Sequence, residues 1–272
     1  MTAQPPKRVP CVLSIAGSDS GGGAGIQADL KAFARCGVHG ATAITAITVQ
    51  NTVEVRGVYP LPPRAIVEQV AAVAEDLGVD AVKVGMLGNA ETIEAVVEAL
   101  DHTGTAPVVV DPVMVAESGS RLLDEDAVDA LRGLLLPLAT VVTPNVPEAR
   151  VLSGLGNDAD ADELARAVHA LGPATVVVTG GHREEAVDVF FDGHELVEIA
   201  GERFPSRAAH GSGCTHSSAL AAHLALGFEP LDAARRAKAI ASEAVRTGLA
   251  GIGSGAGPVD VFGLAEHSPR DA

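Results

Sequence analysis

The sequence predicts an α/β fold: a mostly parallel sheet covered by helices on both faces, in one domain. Three observations carry this. Short β-branched runs alternate with segments of helical periodicity along most of the chain. The 272 residues are 47% hydrophobic, yet they include one tyrosine and no tryptophan. Ala, Val, Leu and Ile must then fill the core, as suits helices packed on a parallel sheet. Finally, the segments that follow the predicted strands hold most of the Gly, Asn, Gln and Asp residues that interrupt the apolar runs. Such sheets bind ligands at the carboxyl ends of their strands.

The elements follow in order. "VPCVLSIAG" (9–17) reads as a buried strand. "AGIQADLKAFARCG" places Ile26, Leu30 and Phe33 at helical spacing and stops at Gly37. "ATAITAITV" (41–49) reads as one strand. Ile66, Val70, Val73 and Leu77 mark a helix, "DAVKVGM" (80–86) a strand, and Ile93, Val96, Val97 and Leu100 another helix. "PVVVDPV" (107–113) is a strand, 125–136 a helix, "ATVVTPN" (139–145) a strand and 159–171 a helix. "ATVVVTGG" (174–181) ends the alternation. "AVDVFFDGHELVEI" (186–199) is a hairpin centred on Asp192-Gly193. Helices over 214–226 and 231–249 precede a glycine-rich tail. The domain spans 1–272, with 1–8 expected to be disordered and 263–272 a loose tail.

Charge narrows the partners. The formal net charge is −16, from 19 basic and 35 acidic residues. A phosphate backbone or an anionic membrane would be repelled, so neither nucleic acid nor membrane is expected. The only lysines are Lys7, Lys31, Lys83 and Lys238. An anionic ligand therefore needs a local device to hold it. The three cysteines, Cys11, Cys36 and Cys214, form no CxxC pair. No signal-type run and no bilayer-length apolar stretch occurs, so a soluble cytoplasmic protein is expected.

"GSDSGGGAGIQAD" (17–29) is a strand–glycine loop–helix. Its Gly23-x-Gly25-x-x-Ala28 fits a dinucleotide pattern, but Gln50 and Asn51 stand where that fingerprint wants an acid. Tight helix–strand packing would use the same glycines. A loop admitting a small ligand fits better, with Asp19 as a polar anchor. "HGSGCTHSS" (210–218) has Gly211 and Gly213 in a turn that feeds a helix. Backbone N–H groups and the positive helix end would make an anion hole needing no lysine. Cys214 there would be drawn toward thiolate. A cysteine nucleophile with His210 or His216 as base, a zinc site from His210, Cys214 and His216, and a small buried filler are the competing readings. Asp111 in "DPVM" and Asn145 and Glu148 in "TPNVPE" offer oxygen ligands of the kind Mg²⁺ takes. Asn145 and Glu148 would also serve as a helix cap.

In order, "AGSDSGGGAGIQADLKAF", "TAITVQNT", "VKVGMLG", "DPVM", "TPNVPEA", "TGGH" and "HGSGCTHSSALAAHLA" resemble the hydroxymethylpyrimidine/phosphomethylpyrimidine kinases of thiamine biosynthesis, in the ribokinase-like superfamily. The likeness runs from about Val12 to Phe262. It implies a ribokinase-like three-layer sandwich, a homodimer, and two phosphoryl transfers from Mg·ATP: first to 4-amino-5-hydroxymethyl-2-methylpyrimidine, then to its monophosphate. The same subfamily takes pyridoxal or pyridoxine, and a pyrimidine-binding regulator could reuse the fold. By the resemblance, Gln50 would hydrogen-bond the aminopyrimidine, and Ala24, Thr48, Met86 and Val113 would line its pocket. Gly211, Ser212, Gly213 and Cys214 would form the anion hole for the γ-phosphate. Asn145, Thr179 and Gly181 would lie near ATP, and Asp111 and Glu148 near the metal. Cys214 would act mainly through its backbone N–H.

The chain departs from the family pattern in places. Ser20 stands where a proline is frequent, which is expected to loosen the first glycine loop. Thr179 replaces a common lysine, removing a charge expected near the ATP phosphates. "SRAAH" (206–210) lacks the usual Asn and Thr, with Arg207 as a possible compensation. These changes leave the Gly211 turn as the expected main phosphate holder.

Overall fold

The computed structural model describes residues 8–180, 186–204 and 208–266. Ten strands and eight α-helices are assigned among them. The strands are β1 (Cys11–Ala16), β2 (His39–Ile44), β3 (Ala46–Gln50), β4 (Val55–Pro60), β5 (Ala81–Val84), β6 (Val108–Val110), β7 (Val141–Val142), β8 (Val176–Val178), β9 (Asp188–Phe191) and β10 (Leu196–Ile199). The helices are α1 (Gly25–Cys36), α2 (Pro63–Asp76), α3 (Ala90–Leu100), α4 (Ala127–Ala130), α5 (Val146–Ser153), α6 (Ala161–His169), α7 (Ser212–Ala225) and α8 (Pro230–Arg246).

The main sheet has eight strands in the order β10-β9-β8-β7-β6-β5-β1-β2. Every pair from β2 to β8 is parallel, while β9 is antiparallel to both β8 and β10. Side chains alternate across it, as a sheet buried on both faces requires. Leu13, Ile15, Val82 and Val110 face one core cluster with α2, α3, α5 and α6. Val12, Ala81, Val109 and Val177 face the other, with Phe33 of α1, Leu220 of α7 and Ala234 of α8. Burying each such Val, Leu or Phe contributes about 1.5–3 kcal/mol. The sandwich of the α/β expectation is therefore present.

The order also fixes where a ligand fits. From β1 the chain turns one way to β2 and then the other way to β5, so β1 and β5 flank the reversal. The crevice outside their carboxyl ends is the preferred binding place of such sheets.

Three local expectations need correction. The single strand over 41–49 is two. Thr45 breaks it, its N–H bonding Ala16 O and its hydroxyl bonding Met86 O. β3 then leaves the main sheet and pairs with β4, which the sequence pattern did not announce, in a separate ribbon. The helix over 125–136 is α4 extended by a π turn at Leu131–Leu135 and a 3₁₀ turn at Leu136–Leu138. Gly133 and Pro137 sit in that stretch, and neither supports a regular helix interior. The hairpin at Asp192-Gly193 closes through four residues: Phe191 pairs with Leu196, and Asp192 Oδ1 accepts from the His194 and Glu195 N–H groups.

Candidate active site

The first glycine loop starts where β1 ends. Asp19 governs it. One carboxylate oxygen accepts the N–H of Gly21 at 2.8 Å, and the other accepts those of Gly23 at 2.9 Å and Ala24 at 2.8 Å. The His210 ring nitrogen Nε2 lies 3.0 Å from the same second oxygen. Burial alone would push Asp19 up, but the His210 ring and the N–H groups of Ala24 and Gly21 outweigh it and hold the carboxyl below the usual range. Asp19 lines the cleft, and its oxygens are engaged by the loop itself and by His210. Lys31 adds a 2.6 Å bond to Gly22 O. Ser20 donates to Gln50 O and accepts from Gln50 N. A proline could do neither, so the loop is stitched to β3 rather than loosened. Thr48 is likewise spent. Its hydroxyl donates to Ser18 O at 2.8 Å, and it is not among the residues that line the cleft.

The second glycine turn meets the first. Gly211 is the N-cap of α7 at φ 85°, and a Cβ there would stand 1.8 Å from Gly23 O. Only glycine allows both the left-handed backbone and that approach. No side chain among the described residues caps α7. The N–H groups of its first turn have no intrahelical acceptor. Ser212 N bonds Ala209 O, and those of Gly213 and Cys214 follow it in the same open turn. An open helix start of this kind, where the helix end is positive, can take an anion.

Behind the turn, α7 is buried from Thr215 to His223. Its hydroxyls take up buried charge. Ser217 donates to Asp111 at 2.9 Å and Ser218 to Asp29 at 2.7 Å. Asp29 also accepts from Ser14 at 2.6 Å and pairs with Lys83 at 3.0 Å, with both ionic side chains fully buried. Ser14 and Lys83 are register partners on β1 and β5, pointing toward α1 and α7. Burial alone would lower the Lys83 ammonium, yet the Asp29 carboxylate more than reverses this, so Lys83 stays charged.

Cys214 differs from expectation. Its residue is partly exposed, but the thiol turns inward near Lys83, Asp111 and Asp29. Burial pushes it up to about 12, although Lys83 pulls the other way. The helix end does not make a thiolate here, because desolvating the anion costs more than the helix dipole returns. His210 is held on Asp19, and His216 lies 3.5 Å from Asp188 with both ring nitrogens unbonded. Neither histidine is bonded to Cys214 among the described residues, so the nucleophile–base pair and the zinc set do not assemble.

The two carboxylates expected at a metal do meet. Asn145 and Glu148 form a capping box at the start of α5. Glu148 also accepts from Met114 N at 3.4 Å. Burial, and then the neighbouring Asp111, raise Glu148 to about 8, and burial raises Asp111 as well. A divalent cation would supply the counter-charge that ionising two desolvated acids requires. Among the described residues no cluster of three His, Cys, Asp or Glu side chains could hold a metal alone. Mg²⁺ fits such a pair, since it keeps waters and completes its shell on substrate phosphates.

All of this opens into one cleft of about 730 Å³ at the carboxyl ends of the strands. Gln50, Ala24, Met86, Val113, Gly211–Cys214, Asp111, Asn145, Glu148 and Thr179 all line it. Gly181 and Arg207 lie outside the described residues. Sequence reasoning missed Lys83 and Lys238, two of only four lysines, which also line the cleft. Their scarcity was the available signal.

The sequence profile described as Phosphomethylpyrimidine kinase matches residues 19–260. The chain belongs to that family. A hydroxymethylpyrimidine/phosphomethylpyrimidine kinase of Rhizobium meliloti is 50% identical over 256 residues, 92% of this chain and 96% of the relative. The thiamine biosynthesis bifunctional protein ThiED of Geobacter sulfurreducens is 45% identical over 96% of this chain, which spans 54% of that protein. Among solved structures, an ADP complex of Bacillus subtilis pyridoxal kinase superposes with a TM-score of 0.86 at 39% identity, covering 94% of this chain and 99% of that one. Among the described residues no helix is long and apolar enough to cross a membrane.

Proposed function

We propose that this chain moves the γ-phosphoryl group of ATP to the hydroxymethyl oxygen of 4-amino-5-hydroxymethyl-2-methylpyrimidine, and then a second one to the monophosphate. One observation carries the reading: the open N-terminus of α7 lines the same cleft as Gln50 and the Asp111–Glu148 pair. Phosphoryl transfer needs positioning and charge stabilisation more than covalent chemistry. The pyrimidine lies at Gln50 against Ala24, Met86 and Val113. The nucleotide lies at the end bounded by Asn145, Thr179 and α8.

The N–H groups of Gly213 and Cys214 take the charge that spreads over the transferred phosphoryl oxygens. Asp111 and Glu148 would hold Mg²⁺, which would supply counter-charge to the phosphates. The alcohol oxygen bonds to the γ-phosphorus while the bond to ADP breaks. Its proton leaves late, to the phosphoryl group, because the neutral Cys214 thiol does not accept it. Asp19 and His210 hold the two glycine loops together through the transfer.

The protein works in the cytoplasm on small molecules, without nucleic acid, as a homodimer. The β3–β4 ribbon supports the dimer. Ile47, Val49 and Tyr59 are exposed on it, Ile47 lies opposite Tyr59, and a lone two-stranded ribbon is marginal in water. Sedimentation at twice the chain mass, reverting to one for Ile47→Asp, is the expected result.

The test of function is ATP-dependent phosphorylation of the hydroxymethylpyrimidine and of pyridoxal side by side, read by product mass. Two added phosphates on the pyrimidine are expected. One phosphate on pyridoxal alone would replace this reading with a pyridoxal kinase. Tight pyrimidine binding without turnover would make the chain a regulator.

A further inference from the structure

The Thr179 end of the cleft has a cation that comes from a different element. Lys238 of α8 lines the cleft, and its ammonium is 2.6 Å from Asp188 Oδ1. The side chain is only 10% exposed. Its stem passes over Gly201, where an added Cβ would stand 2.4 Å from Lys238 Cε, so a glycine at 201 leaves the path for it. Asp188 Oδ1 also accepts the N–H of Gly180, the residue after Thr179. On its other oxygen, Asp188 neighbours His216, half a turn beyond Cys214 on α7. Contacts therefore run from the anion hole through His216 and Asp188 to Lys238. Burial pushes His216 down, so it adds no charge near neutral pH.

The remaining cations that line the cleft are placed differently. Lys83 lies deep, on Asp29. Arg203, two residues beyond Gly201, also lines the cleft but is exposed to solvent. Among the described residues Lys238 has one hydrogen-bond partner, and an ammonium carries three donors. Two remain for a ligand. A chain of net charge −16 needs such a donor to hold a polyanion there.

We propose that Lys238, preset by Asp188, binds the phosphates of the nucleotide and takes the place of the lysine absent at 179. The proposal rests on the nucleotide lying at the Thr179 end. An alternative role for the same residue is purely mechanical, with Lys238 merely fixing Asp188 and hence Gly180.

The test separates them by counting phosphates. Lys238→Met alone would leave Asp188 buried without its partner, which is strongly destabilising. It is therefore made in an Asp188→Asn background, whose amide oxygen still accepts from Gly180. Calorimetric titrations use adenosine, ADP and the non-hydrolysable analogue AMP-PCP against the wild type and Asp188→Asn/Lys238→Met. The expected result is adenosine affinity unchanged within about twofold and ADP and AMP-PCP affinity lower by about 10- to 100-fold, as for a lost charge-assisted bond. Lys238→Arg in the wild-type background should keep most of the ADP affinity. Equal losses for all three ligands, or no loss for ADP, would overturn the phosphate role. If the wild-type protein bound no ADP at all, the nucleotide assignment would fall first and the Lys238 role with it.

Discussion

Replacing Cys214 by alanine tests what the thiol does. A thiol raised to about 12 stays protonated near neutral pH. A well-placed general base contributes about 10²- to 10⁴-fold. A protonated thiol does not accept the alcohol proton, so that gain is not expected of Cys214. What the residue does supply is its N–H in the first turn of α7, which alanine keeps. The sulfur also approaches the N–H of Gly25 at the start of α1. Losing that contact and its packing costs about 1–3 kcal/mol, shared between folding and loop placement. We expect Cys214→Ala to lower kcat by about 10- to 100-fold, leave KM for ATP within a few-fold, and keep the shape of the pH profile. The assay is coupled ADP release from pH 6 to 9 for the wild type, Cys214→Ala and Cys214→Ser. A fall of about 10⁴-fold or more, or the disappearance of a pH-dependent limb that the wild type shows, would refute the reasoning and make Cys214 a base.

Gly211→Ala should be far more damaging to activity. It forces a β-carbon to within 1.8 Å of Gly23 O at φ 85°, so the two glycine loops must part. Loss of anion-hole geometry should cut kcat by at least about 10²-fold, while calorimetry still shows a cooperative melt. Lys83→Met strands Asp29 in the interior and should cost about 3–5 kcal/mol in urea denaturation, with Asp29→Asn/Lys83→Met regaining part of it. Mg²⁺ affinity should depend on pH, because Glu148 sits at about 8 and the ion needs the ionised form. Titration calorimetry should find affinity rising by up to about tenfold per pH unit from about 6 to 8 and then levelling, with proton release below that point. The same carboxyl prefers to stay protonated in the folded metal-free protein. Its stabilising contribution is complete below the ordinary carboxylate range and is lost as pH rises through about 8.

Much of the site was legible because its signals are local. Strand–glycine–helix at 17–29 and glycine–helix at 211–225 are contiguous patterns, and each produced the loop expected of it. The Asn145–Glu148 cap is a three-residue relation, and the structure has it. Less legible was what each polar group would spend its bonds on. Asp19 looked free to meet a ligand, but its partner His210 is 191 residues away. Thr48 looked like pocket wall, but it bonds Ser18 across 30 residues. The ribbon of β3 and β4 escaped notice because its outer face is apolar rather than alternating with polar residues.

The sequence by itself determined the alternation of strands and helices, the glycine turns, and a net charge of −16. Those follow from periodicity, backbone freedom and composition, which are properties of a chain before it folds. Only the tertiary structure decided which charges face the cleft. Lys83 is paired with Asp29 across 54 residues, and Lys238 with Asp188 across 50. It also decided that Cys214 stays a neutral thiol. Ionisation depends on desolvation and on charges within a few ångströms, and these exist only once distant segments pack together.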